Sequence, residues 1–346
     1  MRKSTSVLIA TGLFASSVVA QARENIMIVG SSTVYPFATV VAEKFGKSTN
    51  FKTPIIESTG SGGGMKLFCS GIGEQFPDIT NSSRRIKQSE FDQCQKNGVK
   101  DIIEVKVGYD GIVLGSSKAA QQIELSLQDI FLALAKDVPN PDGSESLVAN
   151  PYRTWADVNG SLPATKIEVL GPPPTSGTRD AFAELALEGG CKTIDWIKAM
   201  EQSDKSSYKI VCHTVREDGA YIEAGENDNL IIQKLQENPR ALGVFGFSFF
   251  DQNGDVIQGA IVEGVEPEFE LIANGSYPIS RPLYFYAKTA HIGVVPGIEE
   301  FMTAFTDEDA YGMEGYLTDK GLIPMPDEER EKFRSNVTDK KSLVLE

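Results

Sequence analysis

Histidine and cysteine are scarce in this 346-residue chain. Its two histidines, His213 and His291, stand far apart, and its four cysteines include no C-x-x-C pair. Zinc sites need such ligands at close spacing, so no metal is expected and both histidines read as ordinary core or surface residues. Basic residues are outnumbered: 33 Lys and Arg face 48 Asp and Glu, for a net charge of −15. Nucleic-acid binding requires clustered Lys and Arg, so a nucleic-acid partner is not expected. Beyond residue 22 no run approaches the roughly 20 apolar residues that a membrane-crossing helix needs. Repeats and long low-complexity tracts are missing. The glycine-rich segment 60–64 lacks the Gly-Lys-Ser/Thr of a Walker A loop. No nucleophile is paired with a base in a hydrolase pattern, so neither a cofactor nor catalysis is expected.

What the chain does have begins at its amino terminus. Arg2 and Lys3, an apolar run from Val7 to Ala20 and the small-residue site Ala20-Gln21-Ala22 read as a secretory signal peptide over residues 1–22. The first cysteine is Cys69, so no lipid-anchoring cysteine stands at the cleavage site, and the mature protein is expected in the periplasm without a lipid anchor. Four cysteines permit three pairings. The sequence-local one, Cys69 with Cys94 and Cys191 with Cys212, is preferred because it would staple neighbouring elements.

Strand and helix patterns alternate along the chain, which argues an α/β architecture with helices on both sheet faces. "NIMIVG" (25–30) predicts a short strand, and Phe37, Val40, Val41 and Phe45 recur at helical spacing after it. "KTPIIEST" is a second strand, and "PDITNSSRRIKQSEFDQCQKNG" a third strand, a loop and a helix closed by Asn97-Gly98. Two unusually long β patterns follow, "IIEVKVGYDGIVLGSS" (102–117) and "YPISRPLYFYAK" (277–288). They flank about half the chain, including the Pro/Gly-rich "KDVPNPDGSES", which reads as a surface loop. Two lobes joined by two crossover strands are expected, with residues 23–106 plus 288–346 in lobe I and 107–287 in lobe II.

Four loops share one design, a strand followed by Ser, Thr and Gly at a helix start: 31–33, 59–64, 81–84 and 175–179. A helix amino terminus offers unpaired N–H groups and a partial positive charge, so it holds an anion without a lysine. Taken singly, each loop is what any helix cap uses. Together they suggest a shared anion seat.

In this order and spacing "GSSTVYPF", "STGSGGGMK", "PDITNSSR" and "SGTRDAF" resemble the phosphate-binding (PstS) family of the phosphate-specific ABC transporter. "GENDNLIIQKLQENPRALGVFGFSFF" is similar to that family's later helix and strand, so the resemblance covers nearly the whole mature chain. It implies a type II periplasmic-binding-protein fold, hinged at the crossover strands, that closes on inorganic phosphate between lobes. It further implies delivery to an ABC permease of the inner membrane, and a monomer is expected. By position, Ser32, Thr33, Ser61, Ser176, Gly177 and Thr178 would be ligand donors.

Two departures stand out. Ser83 occupies a place where several relatives carry an aspartate able to accept the ligand's proton. Pro172 occupies a place where some carry an arginine. Arg179 and Arg84, each adjacent to a donor loop, are the expected replacement cations, and Asp110, Glu57 and Asp180 are candidate proton acceptors. A receptor for another tetrahedral oxyanion, a secreted phosphatase, and an exported sensor that has lost its ligand are the competing expectations.

Overall fold

Three strand–helix units open the described chain, which comprises residues 23–225 and 228–345 of a computed structural model. The signal-peptide reading of residues 1–22 lies outside these residues. Strand β1 (Met27–Gly30) leads to helix α1 (Tyr35–Ser48), which buries Phe37, Val41 and Phe45. Strand β2 (Ile55–Ser58) leads to α2 (Ser61–Phe68), and β3 (Ile79–Ser82) to α3 (Gln88–Lys96). β1 lies between β2 and β3 and is parallel to both. All three carboxyl ends therefore face the same way.

Strand β4 (Ile102–Ser117) follows, and its 16 residues are nearly all buried. At about 3.3 Å per residue it runs on the order of 50 Å, long enough to belong to both halves of the sheet. Ile102 to Gly111 pair antiparallel with Ser280–Lys288, the returning strand. From Ile112 onward β4 pairs with Leu242–Gly246, and from Gly115 to Ser117 also with Ile257–Gly259. The register of the long pair shifts between Leu283 and Tyr284, opposite Gly108 and Lys106, so Val107 is an extra residue on β4. Gly108 sits there at φ +153°, and a Cβ on it would meet the Ile323 carbonyl at 2.6 Å, so only glycine fits this bulge.

Among the described residues the sheet has nine strands, in the order β2, β1, β3, 280–288, β4, 242–246, 169–171, 221–223, with 257–259 beside β4. The two long β patterns are thus adjacent strands at its centre, with parallel strands on either side. "KDVPNPDGSES" is less irregular than its composition suggests: Asp137–Pro139 pairs with Leu147–Ala149, and the Pro/Gly-rich residues form the tip of a hairpin.

Both disulfides join sequence-local partners. Cys69–Cys94 ties the end of α2 to α3, and Cys191–Cys212 ties the helix Glu188–Cys191 to Lys205–His213. The carboxyl-terminal segment returns to the centre of the sheet. Its helix Asp327–Thr338 meets β4 through Glu329, which takes bonds from Lys106 (2.5 Å) and Tyr109 (2.7 Å), and the Leu343 amide bonds the Ile102 carbonyl at 2.7 Å. No helix among the described residues is long and apolar enough to cross a membrane.

Candidate anion-binding site

In open α/β sheets the carboxyl ends of parallel strands are where ligands gather. Here the loops after β1, β2 and β3 are joined there by backbone bonds, Ser31 amide to Asn81 carbonyl (3.0 Å) and Thr59 amide to Gly30 carbonyl (2.9 Å). Gly30 and Gly64 allow the close approach. A Cβ on Gly64 would lie 2.5 Å from the Gly30 Cα, so side chains at this pair would push the first turn of α2 away.

Each predicted donor has a definite place. The Ser31 hydroxyl accepts from the amides of Thr33 (3.2 Å) and Val34 (3.3 Å), which shapes the turn into α1. Thr33 is buried behind that turn and Ser32 is half-buried. Ser61 and Ser83 meet directly: their hydroxyls are 3.0 Å apart, and the Ser83 amide donates to the Ser61 oxygen at 3.0 Å. Arg84 lies beside Gly62, but its guanidinium is held bidentately by Glu90 at 2.9 and 2.7 Å. This pairing raises the arginine's pKa and lowers that of Glu90 against the cost of burial. Glu57 is exposed on β2.

On the other half of the sheet the strand Val169–Gly171 ends in the three prolines, and Ser176 precedes the short helix Gly177–Phe182. Ser176, Gly177 and Thr178 are half-buried, and the Ser176 hydroxyl does not cap its own helix. This turn faces the first half directly. A Cβ on Gly177 would lie 4.0 Å from the Ser32 carbonyl, and the Ser32 side chain is near enough to the Asp180 carboxylate to favour its ionised form. Burial and the neighbouring Glu184 raise the Asp180 pKa, and the Ser32 hydroxyl opposes them. Arg179, by contrast, turns back into its own half. Its guanidinium stacks 4.2 Å from the Tyr221 ring and donates to the Pro172 carbonyl at 3.3 Å.

The positive charge at the junction comes from a residue the loop motifs do not contain. Arg281, on the returning strand and only 8% exposed, lies opposite Asp110 of β4. Its Nη2 donates to the Thr33 hydroxyl at 2.6 Å, its Nε to Asp110 at 3.4 Å, and its Nη1 to the Glu184 carboxylate. One side chain thus touches both central strands, the β1 loop and the 177–187 helical segment. Burial raises the Asp110 pKa, and Arg281 opposes that rise. Both histidines lie outside this group, His291 on Asp78 and His213 on Glu188, and no cluster able to hold a metal ion occurs among the described residues.

The PBP superfamily domain model matches residues 15–309. The chain belongs to the PBP superfamily. Among its relatives are the phosphate-binding protein PstS of Staphylococcus saprophyticus, 27% identical over 316 residues that cover 90% of this chain and 83% of that one. Protein SphX of Synechococcus elongatus is 26% identical over 341 residues, 95% of this chain and 87% of that one. The crystal structure of a "possible phosphate binding protein" from Planctomyces limnophilus superposes with a TM-score of 0.72 at 24% identity, covering 92% of this chain and 99% of the other. The sheet described above is therefore the two-lobed α/β fold of the PBP superfamily. Within that fold Arg281 links the β1 loop and the 177–187 segment to the two central strands.

Proposed function

We propose that this protein is a solute-binding protein that captures inorganic phosphate between its lobes and passes it to an ABC permease. The observation that carries the reading is the meeting, at one junction, of neutral hydroxyl and amide donors from both halves with one buried guanidinium. We assign Ser32, Thr33, Ser61 and Ser83 to one side and Ser176, Gly177 and Thr178 to the other, with Arg281 bonded to Thr33 and to Glu184 between the halves. Hydrogen bonds to a charged partner contribute about 1.5–3 kcal/mol each, so several such donors compensate a dianion for its lost water. The relatives named above as phosphate-binding proteins support the choice of ligand.

Binding without turnover suits the same geometry, because both histidines are hydrogen-bonded to carboxylates away from the junction. We assign lobe I to residues 23–106 plus 288–346 and lobe II to 107–287, with β4 and the 280–288 strand as the hinge. Export to the periplasm, cleavage near Ala22 and a monomeric state complete the reading.

Calorimetry of residues 23–346 with inorganic phosphate and with sulfate tests it. Saturable 1:1 binding of phosphate is expected, with sulfate weaker because the carboxyls of Asp110 and Asp180 can accept the phosphate proton and sulfate has none to give. Sulfate binding without phosphate binding, or turnover of a phosphate ester, would overturn it.

A further inference from the structure

We propose that Glu184 is an internal counter-ion that the bound anion displaces, so that capture exchanges one anion for another at the Arg281 guanidinium. The inference rests on the phosphate-binding reading above.

The two carboxylates on Arg281 are not equivalent. Asp110 lies directly across the central strand pair, and its side chain is 14% exposed. Glu184 is 45% exposed and sits in a π-helical turn over Ala183–Leu187, which continues the helix that begins at Gly177. Asp110 is fixed in place by the sheet. Glu184 is a long side chain with solvent beside it, so it can withdraw without being buried elsewhere.

The helix carries a second sign of this role. Asp180 and Glu184 stand four residues apart, so they are like charges on adjacent turns, an arrangement that destabilises a helix by itself. Glu184 also raises the Asp180 pKa. Such a pair persists where a cation faces it, and Arg281 is that cation.

A dianion arriving among the donors would meet a guanidinium already flanked by two carboxylates. Three anions around one buried cation are strongly repulsive in a low-dielectric junction, so the group free to leave is the one that yields. The exchange also keeps Arg281 paired at every stage, and removing the partner of a buried charge is what costs most. Anions that hydrogen-bond more weakly than a carboxylate would not displace Glu184. Affinity is thereby traded for selectivity and for release.

The test is calorimetry and stopped-flow binding of inorganic phosphate to residues 23–346 as wild type, Glu184→Gln and Glu184→Ala, with thermal melts of each. Removing the internal competitor is expected to tighten phosphate binding ~5- to 20-fold in both variants, with only a small loss of melting temperature because Asp110 still pairs Arg281. Unchanged or weaker binding in both would overturn the proposal, as would a large loss of melting temperature in both, because Glu184 would then be a strut for Arg281. If the wild type itself binds no phosphate, the underlying reading fails and this inference falls with it, a result distinct from normal wild-type binding with unresponsive variants.

Discussion

The donor loops and the central strands contribute different things to the junction. The loops are rich in hydroxyls, yet each arginine they carry is engaged close to home. Arg84 is chelated by Glu90 within its own loop and helix, and Arg179 stacks on Tyr221 in its own half. The central strands are buried along almost their whole length, yet they bring an arginine that reaches both halves. The difference teaches that proximity in sequence to a donor loop is poor evidence for a role in charge compensation. A long flexible side chain finds the nearest partner, whereas a residue held in a paired central strand points where the sheet aims it.

The sharpest way to break this contrast is to remove the three guanidinium groups one at a time. Arg281→Gln should weaken phosphate binding on the order of 100-fold or more, the scale of losing a buried charge-assisted contact. Arg84→Gln and Arg179→Gln should each change affinity by less than about 5-fold, with Arg179→Gln mainly lowering the melting temperature through a lost cation–π contact of about 1 kcal/mol. Equal losses for Arg179→Gln and Arg281→Gln in parallel titrations would restore the expectation drawn from the loop motif.

A smaller effect separates orientation from charge. Thr33→Val keeps the volume at a buried position but removes the oxygen that accepts from Arg281. Affinity should fall roughly 10-fold, one charged hydrogen bond's worth, while Arg281 remains in place. A loss as large as that of Arg281→Gln would mean that Thr33 contacts the ligand more strongly than the arginine does.

The mildest prediction concerns acid. Outside the junction, His213, Lys192 and Lys209 hold the Glu188 carboxyl far below its ordinary value of 4.5 despite burial. A lowered folded-state pKa contributes stability that is present above the unfolded value and is lost as pH falls below about 4.5. At the junction the sign is opposite: burial raises Asp110 and Asp180, so their contribution is present at low pH and lost as pH rises through their folded values. Thermal melts from pH 7 to pH 3.5 should therefore find Glu188→Gln less stable by about 2 kcal/mol near neutrality and less sensitive to acid than wild type. A variant that loses stability with acid as steeply as wild type would remove Glu188 from the account.

Much of this was legible locally. Alternating Ile and Val, helix-cap residues and paired glycines mark β1 to β4, α1 to α3 and the returning strand, because those signals act within a few residues. The sequence-local disulfides follow the same logic. The contact between Ser61 and Ser83 was not legible, because it depends on β1 lying between β2 and β3, a matter of sheet order. Arg281 was harder still, since Thr33, Asp110 and Glu184 lie 248, 171 and 97 residues from it in sequence. A usable signal existed all the same. An arginine inside a strand expected to be buried demands a compensating acid, and Asp110 stands in the one other long strand.

The way β3 is partnered has a consequence for how the chain is made. Apart from β1, its neighbour is the segment Tyr284–Ala287, about 200 residues later, and the Ile102 carbonyl waits for the amide of Leu343. Pairings this distant close slowly, and unpaired strand edges are prone to aggregate while they wait. A polypeptide emerging amino terminus first can finish the inserted block while the first three strands still have an open flank. Chains stopped before residue 280 would therefore be more than shortened: they would be sticky, with the edges of β3 and β4 exposed together and no tail to cover them.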